Sequence, residues 1–391
     1  MLDRELEFKK ESKRTGIVCM GTRISLSSKN VRSVDLVYFR NILQDIYGRK
    51  VDYLSLKSKK EADLDYFKNI SDVDINDYDE IFIYNHSYNP FGGLFKSEAI
   101  VTFKKLFDFK GDIWYLLLDP KMPCTDFAAY LKTRIVDEKY IKTDSKEGRT
   151  IVTPEFCDKW SAKVYPKIKI AMGGCNYNAY YTTYMNKVTK NGKKEVANRV
   201  KLNPNYEWAF IPLFEYYAVK EDLDKKLKDY NFDQREYDLV YFGNNRQTER
   251  NRIINNFYDD IEFNNIVFGF DPNWEYCSYE YGPYVSHDDM FRLIPENAKA
   301  TLVLGDNLHN NNIRTPRFFE SMLLDVVAFI YIEYDKEKRF IKNEFLREFC
   351  YVDSPQDLKR KYRKIVDDEE LFRKIVKLQR EEILSQFEMY K

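Results

Sequence analysis

The sequence predicts an α/β protein of two domains, each built on its own parallel sheet. Three observations predict it. Apolar runs alternate with amphipathic helical stretches over most of the chain, the pattern of strands joined by crossover helices. The alternation restarts after a charged stretch, "VKEDLDKKLKDYNFDQRE" at 219–236. The length of 391 residues suits two domains of ordinary size better than one core.

In the first half, "GIVCM" (16–20) reads as a strand, "SVDLVYFRNILQDIYG" (33–48) as a helix ending on Gly48, and "VDYLSL" (51–56) as the second strand. "DEIFIYN" (79–85) and "DIWYLLL" (112–118) are further strands, with a helix at about 97–108 between them. "KIKIAM" (167–172) is another strand, and a helix is expected near 175–188. In the second half "YDLVYF" (237–242) is a strand, "RQTERNRIINNFY" a helix and "IVFGF" (266–270) a strand. "KATLVLG" (299–305) and "DVVAFIYI" (325–332) are strands flanking a helix at "TPRFFESMLL". From about 355 the chain reads as helix to its end. Two such domains imply a cleft, with ligands beyond the carboxyl ends of the strands.

Composition excludes several classes. The apolar fraction of 44%, with 31 Tyr and 28 Phe, describes a globular chain that can offset its ordering entropy. Charge balances at 63 basic and 63 acidic residues, so any pull on nucleic acid must come from local patches. The opening "MLDRELEFKKESKR" has no apolar core of a secretory signal, and "MLLDVVAFIYI" is too short to span a bilayer and carries Asp325. Six scattered cysteines without a CxxC pair fit a reducing compartment and leave no common zinc spacing. Only His86, His287 and His309 are available, which rules out a His-rich metal site.

Four stretches carry the candidate chemistry. In "DLVYFGNNRQTER" (238–250) a strand stops on Gly243, where the backbone can turn tightly and approach a ligand. The helix that follows offers an N-terminal anion site, and Arg246 and Arg250 share one of its faces. Each arginine can add a charge-assisted hydrogen bond to phosphate, on the order of 1.5–3 kcal/mol. A solvated helix face explains the same spacing equally well, and neither GxGxxG nor a P-loop is present.

In "GDNLHNNNIRTPRFFES" (305–321) Thr315 suits an N-cap and Pro316 the first turn. Arg317 and Glu320 share a face, a pair suited to a phosphate and a ribose diol, and Asp306 suits sugar hydroxyls. A capped helix with an internal ion pair is the structural alternative. In "WYLLLDPKMP" (114–123) a buried strand ends on Asp119, whose partial desolvation suits a general base; a turn cap is the alternative. In "NHSYNPFGG" (85–93) an apolar strand runs into a loop with Asn89, Pro90 and Phe91. An exposed Phe91 suits a wedge into a base stack, while packing on its own domain is the commoner fate of such a residue. The basic runs "KSKK" (57–60), "KVTKNGKK" (187–194) and "KRKYRK" (359–364) read as solvated faces.

These stretches, in this order, resemble the tailed-phage DNA β-glucosyltransferases. The likeness is collinear from about Gly16 to the C-terminus and loose between roughly 124 and 166. Its most specific segments are "VDINDYDEIFIYNHSYNPFGG" (73–93), "YDLVYFGNNRQTER" (237–250) and "LGDNLHNNNIRTPRFFESM" (304–322). The resemblance implies the GT-B architecture, two Rossmann-like domains with parallel sheets facing across a deep cleft. It implies an N-terminal DNA-binding domain over 1–221 and a nucleotide-sugar domain over 222–373, with a terminal helix at about 374–391 packing back on the first.

The activity implied is inverting transfer of glucose from UDP-glucose to 5-hydroxymethylcytosine in double-stranded DNA, giving a β linkage. Asp119 falls on the catalytic base, and Asp35 stands where the family has an active-site glutamate. Arg246, Arg250 and Arg317 fall on arginines that bind the diphosphate, with Gly243 and Asn244 (a serine in the family) at the turn beside it. Glu320 falls on the ribose carboxylate, and Asp306, His309 and Glu215 fall near the sugar, Glu215 only with one gap allowed. Tyr284 or Val285 meets the uracil through backbone, and Asn89 and Phe91 fall on the loop entering DNA where the base flips out.

The departures cluster around sugar and acceptor. A pentose such as arabinose on the same acceptor, or a GT-B enzyme with a non-DNA acceptor, are the alternatives. The resemblance further implies Mg2+ or Mn2+ assisting product release, a monomer without membrane contact, action in the cytoplasm of an infected bacterium, and evasion of host restriction.

Overall fold

Two parallel sheets form, and each has its first strand near the middle. The computed structural model describes residues 6–19, 31–56, 63–84, 97–117, 159–160, 162–173, 184–190, 193–200, 207–224, 231–243, 249–260, 262–269, 278–305 and 314–388. The chain divides into one unit of residues 1–27 and 32–211 and a second of residues 28–31 and 212–391.

The first unit contains strands β1 (Arg14–Cys19), β2 (Lys50–Ser55), β3 (Phe67–Asn69), β4 (Glu80–Tyr84), β5 (Asp112–Leu117) and β6 (Ile168–Met172). With β9 (Trp208–Phe210) they make a seven-stranded sheet ordered β3-β2-β1-β4-β5-β6-β9, every pair parallel. Helices α1 (Val31–Asp45) and α2 (Ser97–Asp108) are two of its crossovers. Strand β4 is buried along its whole length, as expected of a central strand covered on both faces. Glu80 is sealed in that sheet, where it accepts from Thr15 Oγ1 at 2.7 Å and from Arg49 Nε at 2.9 Å. Arg49 also donates to the carbonyls of Glu11 and Tyr47 at 3.3 and 2.9 Å, so both buried charges are compensated.

Strand order reverses between β1 and β4, which lie side by side with Cys19 opposite Tyr84; Tyr84 in turn lies opposite Leu116 of β5. The segments that follow β4 and β5 therefore leave from neighbouring strand ends. A two-stranded antiparallel hairpin, β7 (Tyr184–Lys190) with β8 (Lys193–Val200), forms a separate sheet. It corrects the helix expected near 175–188 over its last residues. Lys190 pairs with Lys193, leaving the Asn-Gly dipeptide 191–192 between the strands, a strong hairpin signal. Val188 and Thr189 add β-branched preference.

The second unit opens with α3 (Leu213–Asp224), so the expected division at 221/222 falls inside a helix. Strands β10 (Tyr237–Phe242), β11 (Asn265–Phe268), β12 (Glu280–Gly282), β13 (Ala298–Val303), β14 (Val327–Tyr331) and β15 (Tyr351–Val352) follow. They form a six-stranded parallel sheet ordered β12-β11-β10-β13-β14-β15. Between them run α4 (Glu249–Tyr258), α5 (His287–Asn297), α6 (Pro316–Leu323) and α7 (Glu344–Cys350). The core packs Val240, Phe242 and Ile266 of the sheet against Met290 and Ile294 of α5.

Helices α8 (Pro355–Val366) and α9 (Glu369–Glu388) end the unit, as the helical reading from about 355 anticipates. Helix α9 packs on α3, α6 and β14. Of these only α3, through residues 213–221, lies in the domain on which a terminal helix was expected to pack, and α3 itself belongs to the second unit. The Gln379 side chain donates to the Ala328 carbonyl at 2.9 Å and accepts from its amide at 3.3 Å.

Candidate functional site

In the second sheet the strand order reverses between β10 and β13, and ligands of such sheets bind beyond the carboxyl ends at that point. Buried side chains fix the junction. Tyr258 of α4 donates to the Val240 carbonyl at 2.9 Å and accepts from the Leu302 amide at 3.3 Å, and Thr301 donates to Val240 at 2.8 Å. The helix bearing Arg250 is thereby tied to both central strands.

Gly243 directly follows β10, and its amide donates to the Phe268 carbonyl at 2.9 Å. A Cβ there would come within 2.9 Å of the Tyr241 hydroxyl. Its φ of +157° is one that residues with a side chain rarely adopt, which suits glycine at this position. Arg250 lies half-buried in the first turn of α4. Tyr284 and Val285 follow β12 and lead into Ser286, the N-cap of α5, whose hydroxyl accepts from the Asp289 amide at 3.2 Å. Tyr284 is exposed, and Val285 packs on the core.

Arg317 and Glu320 stand on α6, the helix that follows β13 in the chain. They form an i,i+3 pair, Nη1 to Oε2, at 3.4 Å. The Arg317 guanidinium lies 3.8 Å over the ring of Phe242, the last residue of β10, and Nη1 also approaches Met290 Sδ at 3.5 Å. Glu320 is buried; its Oε1 accepts from the Tyr217 hydroxyl at 3.3 Å and lies 3.7 Å from His287 Nδ1. Burial pulls its carboxyl up, but Arg317, His287 and Tyr217 together outweigh burial and hold it below the ordinary range. Thr315 occupies the N-cap position with Pro316 at the first turn, but its side chain makes no capping bond. Tyr334 takes it instead, donating to Thr315 Oγ1 at 3.1 Å and accepting from its amide at 3.0 Å.

Glu215, on the first turn of α3, is fully buried and its Oε1 accepts from Arg314 Nη2 at 2.5 Å. Among the described residues its Oε2 has no hydrogen-bond partner. Burial raises its carboxyl above the ordinary range, with Arg314 opposing. The sugar contact expected of Glu215 thus meets an enclosed carboxylate committed to an arginine. Arg314 also donates to Gln386 of α9. Three contributors were missed from the sequence: Tyr217, His287 and Arg314. Their partners lie 33 to 103 residues away, so no local spacing reveals them. The one available signal was Arg314 beside the Thr315–Pro316 cap.

The remaining expected residues lie outside the described residues: Asn89, Phe91, Asp119, Asn244, Arg246, Asp306 and His309. For Asp35 only the backbone is described, in α1. In chain order each follows a described strand. Asn89 and Phe91 follow β4 and Asp119 follows β5, adjacent parallel strands, while Asn244 and Arg246 follow β10, and Asp306 and His309 follow β13. Among the described residues no three or more His, Cys, Asp or Glu gather to hold a metal ion, and no helix is long and apolar enough to cross a membrane.

Comparison with known proteins bears on this arrangement. The family model for bacteriophage T4 beta-glucosyltransferase matches residues 13–151. The DNA beta-glucosyltransferase of Enterobacteria phage T4 is 26% identical over 340 residues, covering 84% of each chain. Among solved structures, T4 phage BGT in complex with its UDP-glucose substrate superposes with a TM-score of 0.67 at 20% identity, covering 96% of both chains. T4 phage BGT with UDP and Mn2+ gives 0.66 at 21% identity over 96% of each. The resemblance drawn from the four stretches is matched by these relatives. The α/β architecture of two parallel sheets is the expected one, and its fold is that of T4 phage BGT, a GT-B glycosyltransferase.

Proposed function

We propose that this chain is a DNA glycosyltransferase that uses a UDP-sugar, and that it transfers glucose from UDP-glucose to 5-hydroxymethylcytosine in duplex DNA with inversion. One observation carries the reading. Arg317, ion-paired with Glu320, lies over Phe242 at the carboxyl end of β10, where the order of the β12-β11-β10-β13-β14-β15 sheet reverses, in a chain matched across 84% of its length by T4 DNA beta-glucosyltransferase.

The chemistry follows from the side chains. The diphosphate sits over Gly243 and the α4 N-terminus, where Arg246, Arg250 and Arg317 meet its charge and Asn244 lies beside the turn. Glu320 takes the ribose hydroxyls, and Tyr284 or Val285 offers backbone to the uracil. Asp306 and His309, following β13, meet the sugar, while Glu215 holds Arg314. Asp119, following β5, takes the proton of the hydroxymethyl group as its oxygen attacks the anomeric carbon, with Asp35 on the helix after β1 assisting. The bond from that carbon to the diphosphate oxygen breaks as the new one forms, and the arginines stabilise the charge arriving on UDP. Asn89 and Phe91 fill the stack vacated by the flipped base, which offsets an unstacking cost of a few kcal/mol. The T4 phage protein is solved with UDP and Mn2+, which supports a UDP-sugar donor and a divalent ion that assists product release.

The test is intact-mass analysis of a duplex carrying 5-hydroxymethylcytosine after incubation with the protein and separate UDP-sugars. Gain of one hexose with UDP-glucose, absent from an unmodified duplex, is expected. Gain of a pentose instead overturns the donor, and no gain with any donor overturns the acceptor.

A further inference from the structure

Glu320 is held by two residues that lie far from it in sequence and that the reaction above does not use. Its Oε2 faces Arg317 at 3.4 Å. Its Oε1 faces the Tyr217 hydroxyl of α3 at 3.3 Å and His287 Nδ1, at the start of α5, at 3.7 Å. The hydroxyl also lies 3.5 and 3.4 Å from the two imidazole nitrogens. Carboxylate, hydroxyl and imidazole therefore form a closed triangle contributed by three helices.

Each corner is itself fixed. The His287 ring packs against Tyr217 with centroids 5.8 Å apart and edge-on to Phe291 at 5.6 Å. Tyr217 shares a helix with Glu215, which is anchored on Arg314. Arg317 lies over the ring of Phe242. The charged and titratable groups around Glu320 are thus Arg317 on its own helix, His287 on α5 and Tyr217 on α3. A carboxylate with only Arg317 for company would be free to swing about its last torsion. The triangle removes that freedom on the Oε1 side and sets the plane in which Oε2 meets an incoming group.

We infer that Tyr217 and His287 are positioning residues of the ribose site, fixing the Glu320 carboxylate so that it receives a vicinal diol. The inference rests on the reading of Glu320 as the ribose carboxylate. Sites held within a fraction of an ångström by supporting hydrogen bonds keep their selectivity, and looser ones lose it. Tyr217 and His287 act through Glu320, the carboxylate that both of them face.

The discriminating measurement is calorimetric affinity for UDP and for 2′,3′-dideoxy-UDP, which keeps the base and diphosphate but offers no diol. The unaltered protein is expected to prefer UDP by on the order of tenfold, the value of a hydrogen bond to a charged group. Tyr217→Phe and His287→Leu are expected to bring that ratio towards one while affinity for the dideoxy ligand stays unchanged. His287→Gln, which keeps a donor, is expected to restore part of the preference. Equal weakening towards both ligands would mean that the two residues merely support the fold, and overturns the inference. So does a ratio unchanged in Tyr217→Phe and His287→Leu. Absence of any preference in the unaltered protein removes the Glu320 assignment itself, and the inference with it.

Discussion

Arg314 and Glu215, 99 residues apart in the chain, meet at 2.5 Å around a carboxylate that is wholly buried. The pair joins the start of α3 to the approach of α6. Removing the arginine alone strands a buried charge, so Arg314→Ala is expected to lower unfolding free energy by about 3–5 kcal/mol. Combining it with Glu215→Gln is expected to recover part of that loss. Urea denaturation of the single and double variants measures both; equal stabilities would show the pair to be dispensable.

Acid titration separates the two buried glutamates. Glu320 has its folded carboxyl below the ordinary value of 4.5, because Arg317, His287 and Tyr217 prevail over burial. Its contribution is present above 4.5 and is lost as pH falls through the folded value. Glu215 is raised by burial, so the folded state holds its proton more tightly and its contribution declines as pH rises through the raised value. Glu320→Gln is therefore expected to weaken the loss of stability in acid, and Glu215→Gln to weaken the decline on the neutral side. Denaturant midpoints collected across pH test the opposite signs.

Loss of a single arginine at the switch point has a ligand-specific signature. Arg250→Ala and Arg317→Ala are each expected to weaken UDP binding by roughly 10–100-fold, from charge-assisted hydrogen bonds of about 1.5–3 kcal/mol. Affinity for uridine, which lacks the diphosphate, is expected to change far less. A parallel loss for uridine in calorimetry would show that the variants disturb the site as a whole.

Asp119→Asn keeps the size of the side chain and removes its basicity. Transfer is expected to fall by about 10²–10⁴-fold while UDP affinity holds. Near-normal turnover in a mass-detected transfer assay would take the base role away from Asp119.

Much of this architecture is legible in the sequence where the physics is local. The strand "YDLVYF" and the helix at "TPRFFESMLL" each carry their own periodicity, and Arg317 with Glu320 declares itself by an i,i+3 spacing. Elements defined by their neighbours are harder to see. Strand β12 is three residues long, too short for any pattern, and exists because β11 offers it a partner. Helix α3 starts in an aromatic run and ends in the charged stretch that reads as a boundary, so neither half shows a clear amphipathic face. The hairpin at 184–200 overlaps the stretch that reads as helix to 188, and its Asn-Gly pair is the local signal of the turn. Among side chains, the triangle of Tyr217, His287 and Glu320 joins three helices, and only the fold brings them together.

The Gln379 amide, paired with both main-chain groups of Ala328, bears on the order in which the protein matures. Helix α9 also supplies Glu382, which accepts from the amides of Lys342 and Asn343 at 2.6 and 3.2 Å, and Gln386, which receives Arg314. All three are translated after the sheet they complete. Domains fold as they emerge from the ribosome, the N-terminal one first, so the second unit waits for its last helix while the first need not. A chain cut before Glu369 is expected to resist protease across its first unit and to be degraded across its second. Limited proteolysis that left both equally protected would contradict this. Completion of the second unit then becomes a property acquired only once α9 has been made.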